Sequence, residues 1–98
     1  MTEKRPYVYI MSSKRNGTLY IGVTSNLPAR VWSHKNDMSE SFTKKYKAHT
    51  LVCFEEHGEM LSAIEREKQI KAWKRKWKLA IIEKHNPRWN DLYEDIVG

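Results

Sequence analysis

YVYIMSSKRNGTLYIGVT, running from Tyr7 to Thr24, consists of two aromatic and β-branched runs around an Asn16-Gly17 pair. Residues 6–12 and 18–23 read as strands, and Asn-Gly is the strongest short-range signal for a hairpin. If Asn16 and Gly17 are the two central turn residues, Met11 faces Gly22, Ser13 faces Tyr20 and Tyr9 faces Thr24. Strand side chains alternate, so Tyr9 and Tyr20 emerge on one face of the hairpin. The tight turn holds them about four residues out of register, roughly 13 Å by strand rise. A looser loop, shifted by two, brings them nearer, whereas a slip of one would send them to opposite faces. Gly22 shares their face and leaves a notch where a ligand could approach the backbone. Taken alone, two strand tyrosines are most simply read as good packing.

Downstream of the hairpin, Thr24, Ser25 and Asn26 offer helix-capping side chains and Pro28 suits a first helical turn, predicting a helix over 27–36. Residues 37–48 are polar and basic without a clear period and read as a loop or short turns. Residues 49–55 read as a third strand. From Met60 to about Lys84 the composition favours one long helix with no Gly or Pro, stopped at Asn86-Pro87. A short helical turn around 89–96 follows. The order is ββαβα plus a tail. It predicts an α+β fold, a three-stranded antiparallel sheet flanked by helices, formed by residues 1–98 as one domain.

Two placements on the helices suggest chemistry. Arg30 and His34 are spaced i,i+4 and point the same way. A fixed cation beside a group able to move protons suits phosphoryl chemistry, although an exposed basic face is the simpler reading. On the long helix, Met60, Ala63, Ile70, Trp73, Trp77 and Ile81 form an apolar stripe at 100° per residue, and Glu67 projects into it. A carboxylate there is costly unless it is paired or binds a metal. Arg66 and Lys74 fall near enough to pair with it. Trp73 and Trp77 read as core residues rather than base-stacking platforms. The outward lysines are the candidates for phosphate contacts.

The chain has 98 residues, 40% of them hydrophobic and 31% charged, which is the balance of a globular chain rather than a disordered one. No apolar run reaches the ~20 residues of a membrane span, and residues 1–6 are polar with no signal-peptide core behind them. Cys53 is the only cysteine, which leaves no internal disulfide or zinc-finger spacing and fits a cytoplasmic setting. A net charge of +6 favours a polyanionic partner such as nucleic acid.

Together these pieces resemble the GIY-YIG nucleases, in particular the small stand-alone bacterial members. The paired motifs stand here as Tyr7-Val8-Tyr9 and Tyr20-Ile21-Gly22, eleven residues from tyrosine to tyrosine. The second triplet matches in full, while the first has Tyr7 and Val8 in place of glycine and isoleucine. Gly22 through Arg30 to His34 is similar to the family's first helix, and Ala63 through Glu67 to Trp73 to its carboxylate helix. Phe42-Thr43-Lys44-Lys45-Tyr46 followed by Leu51-Val52 resembles the small members. Where some members carry an asparagine about three helical turns past the glutamate, this chain has Leu79.

The resemblance implies an endonuclease that cuts nucleic acid, DNA first, with magnesium or manganese held by Glu67, and a place in DNA repair or processing. It assigns Tyr9 as proton acceptor or relay and Tyr20 to position water or phosphate. Arg30 would stabilise transition-state charge, and His34 would assist proton transfer or hold the phosphate. Lys44, Lys45, Lys68, Lys71 and Arg75 are the expected nucleic-acid contacts, with a protein partner able to supply targeting. The competing readings are a nucleic-acid-binding module without catalysis and a small structural domain.

Overall fold

A computed structural model describes residues 5–38 and 41–97, apart from the side chains of residues 41 and 42. The elements are β1 (Tyr7–Ser12), β2 (Leu19–Thr24), α1 (Leu27–Lys35), α2 (Ser41–Tyr46), β3 (Thr50–Glu56), α3 (Met60–Ala72), α4 (Arg75–His85) and α5 (Tyr93–Val97). The three strands form one antiparallel sheet in the order β2-β1-β3, with β1 in the centre.

The hairpin adopts the looser of the two registers. Tyr9 pairs with Gly22 and Met11 with Tyr20. A two-residue type I′ turn needs positive φ at both central positions. Here only Asn16 is left-handed, at φ 57°. The loop instead closes with Ser13 N donating to Thr18 O at 3.1 Å and Gly17 N to Lys14 O at 2.8 Å. The Ser13 hydroxyl also accepts from Thr18 N at 3.0 Å.

Each sheet face carries its own core, as alternation requires. Val8, Ile10 and Ile21 pack with Ala63, Ile70, Ile82 and Trp89. On the other face Tyr9 and Met11 pack with Leu27 and Val31 of α1 and with Ala48, while Leu92, Tyr93 and Ile96 of the tail cover them. Burying each such aliphatic side chain is worth about 1.5–3 kcal/mol relative to leaving it in water.

Two expectations change. The helix expected over 60–84 is broken, because Trp73 and Lys74 are extended, with ψ 151° and 150°. No Gly or Pro announces the break, and its cause is tertiary. α3 lies over β1 and β2, and the chain must turn before α4 can cover β3. Arg75 anchors the new start, its Nη2 donating to Asn16 O at 2.8 Å and Gly17 O at 2.6 Å in the hairpin loop. Trp77 consequently leaves the core stripe and is 53% exposed, whereas Trp73 still packs against the core.

The second change lies in 37–48, which contains the short helix α2. Both α1 and α2 end in Schellman-type caps on non-glycine left-handed residues, Asp37 (φ 56°) and Lys47 (φ 54°). Asp37 also pairs with His49 Nε2 at 2.7 Å, tying the end of α1 to the approach to β3.

Besides this packing, two polar side chains tie down the tail. Asn86, buried at the end of α4, donates from Nδ2 to Val52 O at 3.1 Å and to Asn90 O at 2.8 Å. Asp91 accepts from Leu51 N at 3.2 Å and Tyr93 N at 3.1 Å and pairs with Lys35 of α1.

Candidate active site

β1 and β2 present Tyr9 and Tyr20 on the face that α1 covers, and α1 delivers Arg30 and His34 one turn apart to the same place. The two phenol rings lie 6.2 Å apart, centroid to centroid, and the His34 ring is 5.6 Å from Tyr9 and 5.1 Å from Tyr20. α1 is set for this by its N-cap, where Asn26 Oδ1 accepts from Ala29 N at 3.3 Å, and by Leu27 and Val31, buried beneath it.

A hydrogen-bond chain runs through the cluster. Arg30 Nε donates to Tyr9 Oη at 3.4 Å, Tyr9 Oη lies 2.8 Å from His34 Nε2, and His34 Nδ1 lies 3.1 Å from Thr43 Oγ1 on α2. A guanidinium can only donate. Tyr9 oxygen therefore accepts from Arg30, while the directions along Tyr9–His34 and His34–Thr43 follow the tautomer of the imidazole.

Exposure is graded along this chain. Tyr9 (1%), His34 and Thr43 (both 0%) are shut away from solvent, while Tyr20 and Arg30 are only half-buried. Burial pushes the Tyr9 phenol well above its ordinary value, and the Arg30 guanidinium offsets only part of that effect. Arg30 in turn is held charged, chiefly by its hydrogen bond to Tyr9. The missing side chain at Gly22 predicts a notch open to a ligand. Tyr9 fills it instead, and a Cβ on Gly22 would stand 2.5 Å from its hydroxyl.

Glu67 is carried by α3. α3 packs on the Val8/Ile10/Ile21 face of the sheet, opposite the phenols. Arg66 grips Glu55 of β3 through Nε at 3.0 Å and Nη2 at 3.1 Å, so that flank of α3 faces β3. Glu67, 100° further round, lies on the flank turned toward the outer edge of β2. Its side chain is 15% exposed and pairs with Lys71 Nζ at 3.4 Å. The salt-bridge partners expected for Glu67, Arg66 and Lys74, are not the ones found.

Among the described residues no group of three or more His, Cys, Asp or Glu side chains converges to hold a metal. A lone carboxylate suits only an ion that keeps most of its waters and draws further ligands from substrate oxygens, as magnesium does. Glu67 fits that requirement once Lys71 yields. Cys53 offers no alternative nucleophile, because burial pushes its thiol up to about 12.

Lys44 and Lys45 on α2 and Lys68 and Lys71 on α3 are exposed, with Lys45 Nζ 5.3 Å from the Tyr46 ring. Arg75, expected as a phosphate contact, is already engaged by the hairpin loop. The residue that sequence reasoning missed is Thr43. It lies in a segment without periodic signal, and only the fold brings it behind His34.

No helix among the described residues is long and apolar enough to cross a membrane. No solved structure matches the chain. Sequence relatives do. A UPF0213 protein of Staphylococcus haemolyticus is 38% identical over 77 residues, covering 79% of this chain and 93% of the relative. A UPF0213 protein of Clostridium perfringens is 32% identical over 90 residues, covering 92% and 96%. The model of the GIY-YIG catalytic domain matches residues 5–89, which include the hairpin, α1 and both long helices. The chain therefore belongs to the GIY-YIG family, with its tyrosine–arginine–histidine cluster lying inside the matched catalytic domain.

Proposed function

We propose that this protein is a single-domain, divalent-metal-dependent endonuclease that hydrolyses phosphodiester bonds of nucleic acid, DNA in the first instance, in its repair or processing. The observation that carries the reading is the hydrogen-bond chain from Arg30 through Tyr9 to His34 and Thr43, closed to solvent behind the half-buried Tyr20.

Tyr20 and Arg30 are the members of the cluster that face solvent, so they are the ones to meet a phosphate. Arg30 brings fixed positive charge to the oxyanion that grows as water attacks phosphorus. The Tyr20 hydroxyl orients that water. The water gives its proton to Tyr20 oxygen as Tyr20 passes its own to Tyr9 oxygen and Tyr9 passes its own to His34 Nε2, so that the charge ends on the imidazolium and no free phenolate forms. The raised pKa of Tyr9 suits this relay and opposes a role as an ionised base. Glu67, freed from Lys71, is the residue to hold magnesium or manganese at the β2 edge. A bound divalent ion supplies Lewis-acid charge to the scissile phosphate and lowers the pKa of a coordinated water. Lys44, Lys45, Lys68 and Lys71 hold the backbone on either side.

A second reading, a nucleic-acid-binding module without catalysis, draws on the Glu67–Lys71 pair, which leaves the carboxylate already neutralised. The deciding experiment is incubation of the protein with a panel of labelled DNA and RNA structures, with magnesium, with manganese and with chelator. Metal-dependent product that vanishes in both Glu67→Gln and Arg30→Ala supports the nuclease. Salt-sensitive binding with no product in any condition supports the binder, and full activity in either variant rejects the site.

A further inference from the structure

Helical periodicity puts Trp77 on the buried stripe, yet the structure leaves it 53% exposed. The extended pair at Trp73 and Lys74 resets the helical phase and swings the indole outward. The indole is nonetheless held in place. Its ring meets that of Trp73 edge-on, 6.2 Å between centroids at 76°. The Arg66 guanidinium stacks on Trp73 at 5.0 Å and is itself gripped by both oxygens of Glu55. A braced column therefore runs from β3 to an aromatic face in solvent.

The chain on either side of that indole is basic. Lys74, Lys76 and Lys78 flank Trp77, and α4 has no acidic residue in its first turn. An apolar protein partner would have to bury those ammonium groups without compensation. A nucleic-acid strand provides both complements, phosphates for the lysines and a π-face for the indole. Bases within a duplex are already stacked on both sides and have no face to offer. The occupant that fits is an unpaired base.

We propose that Trp77 is a stacking platform for an unpaired base of a nucleic-acid strand, with Lys74 and Lys76 gripping the adjoining phosphates. It makes the protein prefer single-stranded or frayed substrates. The platform lies on the sheet face opposite the Arg30–Tyr9 cluster. Arg75, on the same helix start, docks the hairpin loop whose strands carry the two phenols. This inference rests on the nucleic-acid part of the functional reading and does not require cleavage.

The test measures affinity for a labelled oligo(dT) strand of about twelve nucleotides, within the site sizes such surfaces span, and for a blunt duplex of equal length. Chelator and a Glu67→Gln background prevent cleavage. Trp77→Ala is expected to weaken strand binding about tenfold and duplex binding by no more than about twofold, the scale of losing one stacked base. Trp77→Phe should retain most of the strand affinity, and Trp32→Ala, an exposed tryptophan outside the column, should leave both affinities unchanged. Equal loss on strand and duplex, no loss on either, or no strand binding by the parent protein overturns the platform. Strand binding through Trp77 without metal-dependent cleavage by the Glu67 protein would leave the platform standing and remove the nuclease reading; cleavage with an indifferent Trp77 would do the reverse.

Discussion

Tyr9 Oη lies 2.8 Å from His34 Nε2, and neither residue has more than 1% of its surface exposed. A polar pair sealed this deeply is stable only if every donor and acceptor along it is matched. The outer end is matched by Arg30 and the inner end by Thr43, so the two ends of the chain carry consequences that can be separated.

At the inner end, Thr43→Val keeps the shape and removes the hydrogen bond to His34 Nδ1. Losing a buried hydrogen bond should cost about 1–3 kcal/mol of stability. It should also lower cleavage while leaving KM near that of the parent, since Thr43 is buried and has no route to substrate. Urea denaturation and steady-state kinetics check both. Unchanged stability together with unchanged turnover would show that Thr43 contributes nothing to the relay.

At the outer end, Arg30→Lys keeps the charge but replaces a planar fork with a point charge, which is not a conservative exchange at such a site. Cleavage should fall by about two orders of magnitude, as on removing one preorganised oxyanion donor. The circular dichroism spectrum should be unchanged. Activity within a few-fold of the parent would reject the transition-state role of Arg30.

Gly22→Ala is expected to harm the site through packing. The new methyl would stand 2.5 Å from the Tyr9 hydroxyl and 2.6 Å from its Cζ, and the ring is boxed in by α1. Overpacking of this kind costs about 1–3 kcal/mol, and Tyr9 must shift off His34 to relieve it. Loss of activity without any loss of stability would mean the phenol moves freely, contrary to its burial.

Stability should fall at both pH extremes, for different residues. Burial pushes the Glu55 carboxyl up, but Arg66 and then His57 outweigh it and leave it below the ordinary range. A depressed folded value means stability present above the unfolded value of about 4.3 and lost as pH falls below it. Tyr9 is raised, so its contribution is complete below about pH 10 and is lost as pH rises further. Denaturation curves across pH should show both limbs. Glu55→Gln should flatten the acid limb and Tyr9→Phe the alkaline one, and a parallel shift of the whole curve would contradict the assignment.

Local signals made much of this architecture readable. Alternation put Tyr9 and Tyr20 on one hairpin face, and i,i+4 spacing aligned Arg30 with His34, because those relations lie within one element or one turn. The register of the hairpin was not decidable between two even shifts, since both satisfy the same alternation. The break at Trp73 has no local cause: residues 60–84 are good helix formers throughout, and only the width of a three-stranded sheet forces the turn. Glu67 shows the same limit. The helical wheel identifies a carboxylate on an apolar stripe, but which sheet face the stripe covers depends on how α3 returns from β3. Thr43 became visible only when α2 was folded against α1.

Asp91 binds the backbone of β3 and the ammonium of Lys35 at the end of α1, so one carboxylate moors the last segment of the chain to the helix that bears the arginine and histidine. Severing the polypeptide between His85 and Asp91 would therefore do more than shed a peripheral segment. It would uncover Tyr9 and Met11 from the side of Leu92 and Ile96 and slacken α1 at its far end. Protease protection at that linker would then rise and fall with the integrity of the phenol pocket that the tail covers.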